Sequence, residues 1–282
     1  MTIATTPRPP AQVEATAIPS PARQLAALVR RGLLDQRRAP LTWGGALGAM
    51  TALMAAIWPS IEDSMSKLLD SYPSGLKQAF GIQQLDSIEK YIDAEMLSVI
   101  VPLACIFFAV RCATRATVGA EEAGQLDTLL SLPVSRRLLA TSAFVVTGGA
   151  LAAILGVIWA LTWITGTTVG GGISATTLAA GLINVWPLSM AFAGLAILAA
   201  GVTGRQAAVT AVAIGTAGAM YVIDLAGKLS DPLAPLRAVS AFRYYGSAIN
   251  DGLDLSHVLV LLLGALVLAA AGAQLFERRD LG

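Results

Sequence analysis

Charge is scarce in this chain. Of its 282 residues only 13% are Asp, Glu, Lys or Arg, 55% are hydrophobic, and the mean hydropathy is +0.68. A soluble globular domain carries roughly 25% charged residues, so the composition excludes one and implies a membrane protein. Histidine is almost missing. His257, at the start of the last apolar run, reads as an interface residue rather than a ligand or proton carrier. The two cysteines, Cys105 and Cys112, share one apolar stretch without zinc-ligand spacing, which excludes a disulfide framework and a metal site and leaves two small buried hydrophobes. HExxH, GxSxG and GxxxxGK[ST] are all lacking, so the chain has no zinc-activated water, no serine nucleophile elbow and no phosphate cradle. It is not an ATPase by itself and binds no cofactor of its own. A net charge of +1 gives no footprint for nucleic acid.

What the chain has in abundance is long apolar runs. A helix crossing the hydrocarbon needs about 20 mostly apolar residues. Six stretches qualify, at about 41–59, 94–113, 138–163, 177–201, 206–226 and 255–276, predicting an all-α membrane protein with six transmembrane helices. An even number leaves both termini on one side. With that side cytosolic, the only basic residues outside are Lys67, Lys77, Lys90, Lys228, Arg237 and Arg243, and the rest of the 19 lie inside. Acidic residues lean the other way, so both termini are expected in the cytosol. The spans hold almost no ionisable groups: Asp93 and Glu95 sit at the outer start of span two and Asp224 near the outer end of span five. Asp224 reads as an interfacial group within reach of water, or as part of a substrate route. With no charged relay at mid-depth, energy for any pumping has to come from elsewhere.

Residues 1–21 are rich in Pro, Thr and Ala without an apolar core, and are expected to be a disordered cytosolic tail rather than a secretory signal. In residues 22–38, "ARQLAALVRRGLLDQRR", Leu25, Leu28, Val29 and Leu33 share one helical face. Arg23, Arg30 and Arg37 recur on another face, with Arg31 and Arg38 beside them. This predicts an interfacial amphipathic helix on the inner leaflet, or else a basic cluster that only sets topology. Residues 39–282 are the expected six-span domain. Outside, residues 60–92 hold two short amphipathic pieces divided by Pro73 and Gly75, and 227–254 an apolar, aromatic cap. Pro102 and Pro187 predict kinks in spans two and four.

One charged segment interrupts the apolar chain between spans two and three, "EEAGQLDTLLSLPVSRR", residues 121–137. Glu121 and Glu122 suit the first turn of a short helix, where negative charge meets exposed amide groups. Leu126, Leu129 and Leu130 fall on one face, Pro133 stops the helix, and Arg136 and Arg137 anchor the next span. Physical reasoning leaves three readings open: a knob for a soluble partner, a solvated topology-setting loop, or a helix resting on lipid.

The stretch "EEAGQLDTLLSLPVSRRLL" resembles the signature of ABC-2 type permeases, the transmembrane subunits of bacterial ATP-binding-cassette exporters. "GLKQAFGI", "SAFRYYG" and the ending "ERRDLG" extend the resemblance over most of the chain in order. Gln125 stands where the family often has Thr, and Thr141 and Ser142 where a Lys is common.

The resemblance implies a multi-pass protein of the bacterial inner membrane. Residues 121–132 would be a coupling helix in a cleft of a separate P-loop ATPase subunit, which binds the ATP and Mg. Residues 22–38 would be the connecting helix. Glu121 and Glu122 would offer charge to the partner or to Arg115; Leu126, Leu129 and Leu130 would supply buried contact, Gly124 close approach and Pro133 the stop, with Asp127 among the coupling residues. The complex would hold two ATPases and two permeases, the second identical or homologous. Its cargo would be an amphipathic or lipophilic compound, with spans two and five lining the cavity through Phe107, Phe108, Met220, Tyr221 and Asp224; core positions are the plainer reading of the first four. Rival readings are a self-contained ion-coupled secondary transporter and a non-transporting membrane anchor or immunity protein.

Overall fold

The computed structural model describes residues 20–71, 87–124 and 135–278. All its regular elements there are helical. The first, α1 (Pro21–Asp35), sets Leu25, Leu28, Val29 and Gly32 half-buried while Arg23, Arg30 and Arg31 stay exposed. It leans on α6 (Arg136–Thr168), where Val146 lies so near Gly32 that an added Cβ would come within 2.6 Å of it. A wide π turn, Pro40–Gly44, leads into α2 (Gly45–Ser71). That helix passes straight through Pro59 and outlasts the expected end of span one by twelve residues. A proline inside a helix removes one backbone bond and need not end it when the neighbouring turns are supported. Here Trp58 is buried against Tyr91, ring centroids 5.3 Å apart.

Span two is broken rather than straight. A short helix α3 (Ile88–Ile92) runs on through a π turn, Asp93–Leu97, and meets α4 (Ile100–Ala116) at 46°. The break falls at Ser98–Val99, three to four residues ahead of Pro102. That is where a proline forfeits the bond to the carbonyl four back and crowds it. Among the described residues five helices are long and apolar enough to cross a membrane, and a sixth crossing results when this bent pair counts as one.

After the short α5 (Val118–Glu122) and α6 come α7 (Ala175–Thr203), α8 (Gln206–Leu229), a 3-10 segment Asp231–Val239, α9 (Ala241–Tyr245) and α10 (Leu255–Arg278). Helix α7 is the centre of the bundle. In its most apolar window 72% of residues are buried, against 22% for α8, and it touches α4, α6, α8 and α10. Its seam with α10 is made by missing side chains: a Cβ on Gly194 would lie 2.5 Å from the Ala265 carbonyl oxygen, and one on Gly272 2.5 Å from the Leu198 nitrogen. Lipid tails are as apolar as leucine, so backbone approach of this kind is what membrane helices gain from association. Gly44 and Gly48 serve the same end within the subunit, facing Val157 and Leu161 of α6. A buried hydroxyl pair, Thr51 to Thr162 at 2.6 Å, adds a polar tie between α2 and α6.

The segment after α8 docks on the rest through polar contacts. Asn184 of α7 donates to the Tyr245 carbonyl, and the Tyr245 hydroxyl donates to the Leu97 carbonyl at 2.7 Å, beside the break in span two. Ser247 and Asn250 donate to Asp93 at 2.5 and 2.9 Å. His257 lies at the start of α10, edge-on to Tyr244 and 3.6 Å from Asp254. Asp254 accepts from the Ser256 amide and hydroxyl, bonds that hold its carboxyl below the usual range.

Candidate functional site

Helix α4 carries its arginines in its last two turns, Arg111 and Arg115, near the carbonyl-rich end where cations are favoured. Thr117 then leaves helical geometry and donates its hydroxyl back to the Ala113 carbonyl at 2.9 Å, so the chain turns and α5 sets off in a new direction. Val118 and Ala120 bury the inner face of this turn. At its end Gly124 takes a φ of +66°, in the left-handed region that favours glycine and closes a helix.

Glu122 reaches across to α8. Its Oε1 accepts from the backbone amide of Gln206 at 2.9 Å. Gln206 is the first residue of α8, and Arg205, its own capping position, supplies no side-chain bond. A carboxylate from another element therefore caps this 24-residue helix, where an anion near the N-terminus is worth about 0.3–1 kcal/mol beyond the hydrogen bond itself. Gly119 permits the approach: a Cβ there would lie 3.1 Å from the Gln206 side-chain oxygen.

Above this clamp lies a groove of about 660 Å³. Phe107 and Arg111 of α4 form one wall, Thr210, Ala211, Ile214 and Gly215 of α8 the other, and Glu122 with Gln206 closes one end. Apart from Arg111 and Thr210 the walls are small or apolar, and Arg111 and Glu122 give the groove both signs of charge. Such a space suits a guest with an apolar body and a polar end.

The five cavity candidates disperse. Phe107, 40% exposed, lines the groove. Phe108 does not line the groove; it is 5% exposed and edge-on to Trp43 at 5.7 Å. Met220, Tyr221 and Asp224 meet the segment that follows α8. The Ser240 hydroxyl donates to the Met220 carbonyl at 2.7 Å, and Tyr221 stands edge-on to Phe242 at 5.4 Å. Asp224 is buried and takes Arg237 and Lys228, each at 2.8 Å. Of the loop residues, Glu121, Glu122 and Gly124 are described; Leu126, Asp127, Leu129, Leu130 and Pro133 lie outside the described residues. Glu122 bonds to Gln206 rather than Arg115. Arg23, Arg30, Arg31, Arg37 and Arg38 are all exposed on α1 and the turn after it. Sequence reasoning missed Arg111, Thr210, Ala211 and Ile214. The signal was available in the small and weakly polar residues of α8 at steps of three and four.

Residues 27–277 match the family described as the C-terminal domain of the multidrug efflux system permease Rv1217c. The chain belongs to that family. It is thus a permease of an ABC-2 type efflux system, a multi-pass membrane protein whose task is transport rather than catalysis. No curated protein matches the chain. Membership of an efflux system gives this permease further components to work with.

Proposed function

We propose that this chain is the membrane subunit of an ATP-driven exporter, and that it moves an amphipathic or lipophilic compound out of the cytoplasm or inner leaflet by alternating access. The observation that carries the reading is the bond from Glu122 to the start of α8. The segment entering the charged loop is tied to the helix that forms the far wall of the groove, while its own chain continues from the near wall. A push on residues 121–132 would therefore move α8 against α4 and change the groove's width. Chemical fuel enters through a separate P-loop ATPase, because the sequence holds no nucleotide motif. Two ATPases and two permeases, identical or homologous, would close a rocking assembly in the bacterial inner membrane with both termini cytosolic. Gly215 and Ala219, on the exposed side of α8, support a second permease facing this one across a shared groove.

The test is co-purification with a P-loop ATPase whose gene lies beside this one, if the neighbouring reading frame encodes such a protein, comparing drug-stimulated hydrolysis for the native chain, Glu122→Arg and Leu129→Asp. Both variants should insert normally and lose coupled turnover. Unchanged coupling in both, or transport by the permease alone in vesicles without nucleotide, would overturn the reading. Labelling of a cysteine at residue 129 from the outer medium would overturn the topology.

A further inference from the structure

At the end of the bundle where the turn after α1 meets α4, a second, smaller cavity of about 210 Å³ opens beside the groove, with Arg111 shared between them. Its lining brings together three arginines from two distant parts of the chain: Arg38 from the turn after α1, and Arg111 and Arg115 from the last turns of α4. Arg111 and Arg115 are four apart and so stand one above the other on one helical face. Among the described residues Asp35 is the one carboxylate in the lining, leaving a net excess of two positive charges there. Among the described residues none of these arginines lies within ion-pair distance of a carboxylate. Gln36 points its amide into the same region, where its partner is the Cys112 sulfur at 3.5 Å, a weak acceptor for a good donor.

The other wall is aromatic. Trp43 sits inside the π turn Pro40–Gly44, with ring centroids 5.7 Å from Phe108 and 6.0 Å from Phe107. A π turn widens the helix locally and is frequently found where a helix does functional work; here it swings Thr42 and Trp43 toward the arginines. Arginine's flat fork matches phosphate oxygens two at a time, and tryptophan prefers the headgroup level of a bilayer. The cavity lies at the first residues of one span and the last of another, which is that level. Its volume admits a phosphate headgroup and not acyl chains, which would pass out beside Trp43.

We propose that Arg38, Arg111 and Arg115 hold the phosphate of an anionic phospholipid, with Gln36 as a further donor and Trp43 against its glycerol and upper acyl region. Only the assignment to the inner leaflet rests on the topology proposed above. Because Arg111 also lines the α4–α8 groove, the lipid would sit one side chain away from the cargo path.

The experiment is native mass spectrometry of the permease released from detergent with its ATPase, titrated with phosphatidylglycerol, phosphatidylcholine or inorganic phosphate. Phosphatidylglycerol should bind at the lowest concentration. Arg111→Gln/Arg115→Gln should weaken it on the order of thirtyfold, from about 1 kcal/mol per arginine near a headgroup. Arg30→Gln/Arg31→Gln removes the same charge from α1 outside the cavity and should leave binding within about twofold. If the glutamine pair fails to fold, Arg111→Lys/Arg115→Lys keeps the charge but not the fork and should still bind several-fold more weakly. Equal binding of the two lipids, or equal loss in the α1 and α4 variants, would reduce the cluster to general surface charge and overturn the proposal. Inorganic phosphate competing as well as the lipid would overturn the lipid assignment in favour of a soluble phosphate.

Discussion

Two carboxylates show how differently one residue type is used in a low-charge protein. Asp224 is buried among the ends of α8 and the following 3-10 segment, and its oxygens are divided between Lys228, one turn on, and Arg237. Removing Arg237 strips a charge-assisted bond from a buried carboxylate while Lys228, 54% exposed, keeps some compensation. Arg237→Ala should therefore cost about 1.5–3 kcal/mol and lower the melting temperature in detergent, with little change at the Glu122–Gln206 contact. Glu122 is exposed and contributes less to stability, yet it joins α5 to the start of α8. Glu122→Gln keeps the shape and one acceptor and loses the charge. It should fold as well as the native chain and lose about tenfold in drug-stimulated hydrolysis, the equivalent of about 1.4 kcal/mol in coupling, measured as the ratio of stimulated to basal rate. A fall in both rates together would place Glu122 in ATPase docking rather than in transmission.

Elements in this protein are held by what their sequences leave out. The seam between α7 and α10 exists because Gly194 and Gly272 carry no side chain where the two backbones meet. Gly194→Val forces atoms onto the Ala265 carbonyl and should cost about 1–3 kcal/mol or more, seen as a broadened elution profile and a lower melting temperature. Gly156 has open space beside it, so Gly156→Ala should be tolerated, and equal damage from both would refute the seam. Helix identity was legible in the sequence because apolar runs of 20 residues have few other solutions in a membrane. The α1 pattern was legible for a similar reason, since leucines at steps of three and four need a surface to lie on. Less legible was the path of span two. Pro102 announces a disturbance, but whether a helix bends, breaks or continues depends on its neighbours, as continuous passage through Pro59 in α2 demonstrates. The direction of adjacent side chains was equally hidden. Phe107 and Phe108 are indistinguishable by type, and only the rotation of α4 in the bundle puts one in the groove and the other in the core.

For the whole molecule, the central claim is that the proposed α4–α8 groove is the cargo path and that its width is set through the Glu122–Gln206 contact. The arrangement favours motion at that place. Helix α8 is the least buried of the spans, whereas α7 and α10 are locked together by backbone contact. A rigid core with one loosely held wall is what a rocking transporter requires. The groove's composition was partly readable in advance, through spans two and five, but its polar end was not, because Glu122 joins it only through folding. The most direct measurement places spin labels at Phe107→Cys and Ala211→Cys, on opposite walls, in a chain with Cys105 and Cys112 replaced by alanine. The labelled permease is reconstituted with its ATPase, and the distance is read with and without trapped ATP. The account predicts a shift of several ångströms on trapping that is abolished by Leu129→Asp. An unchanged distance in a preparation that still exports drug would contradict it.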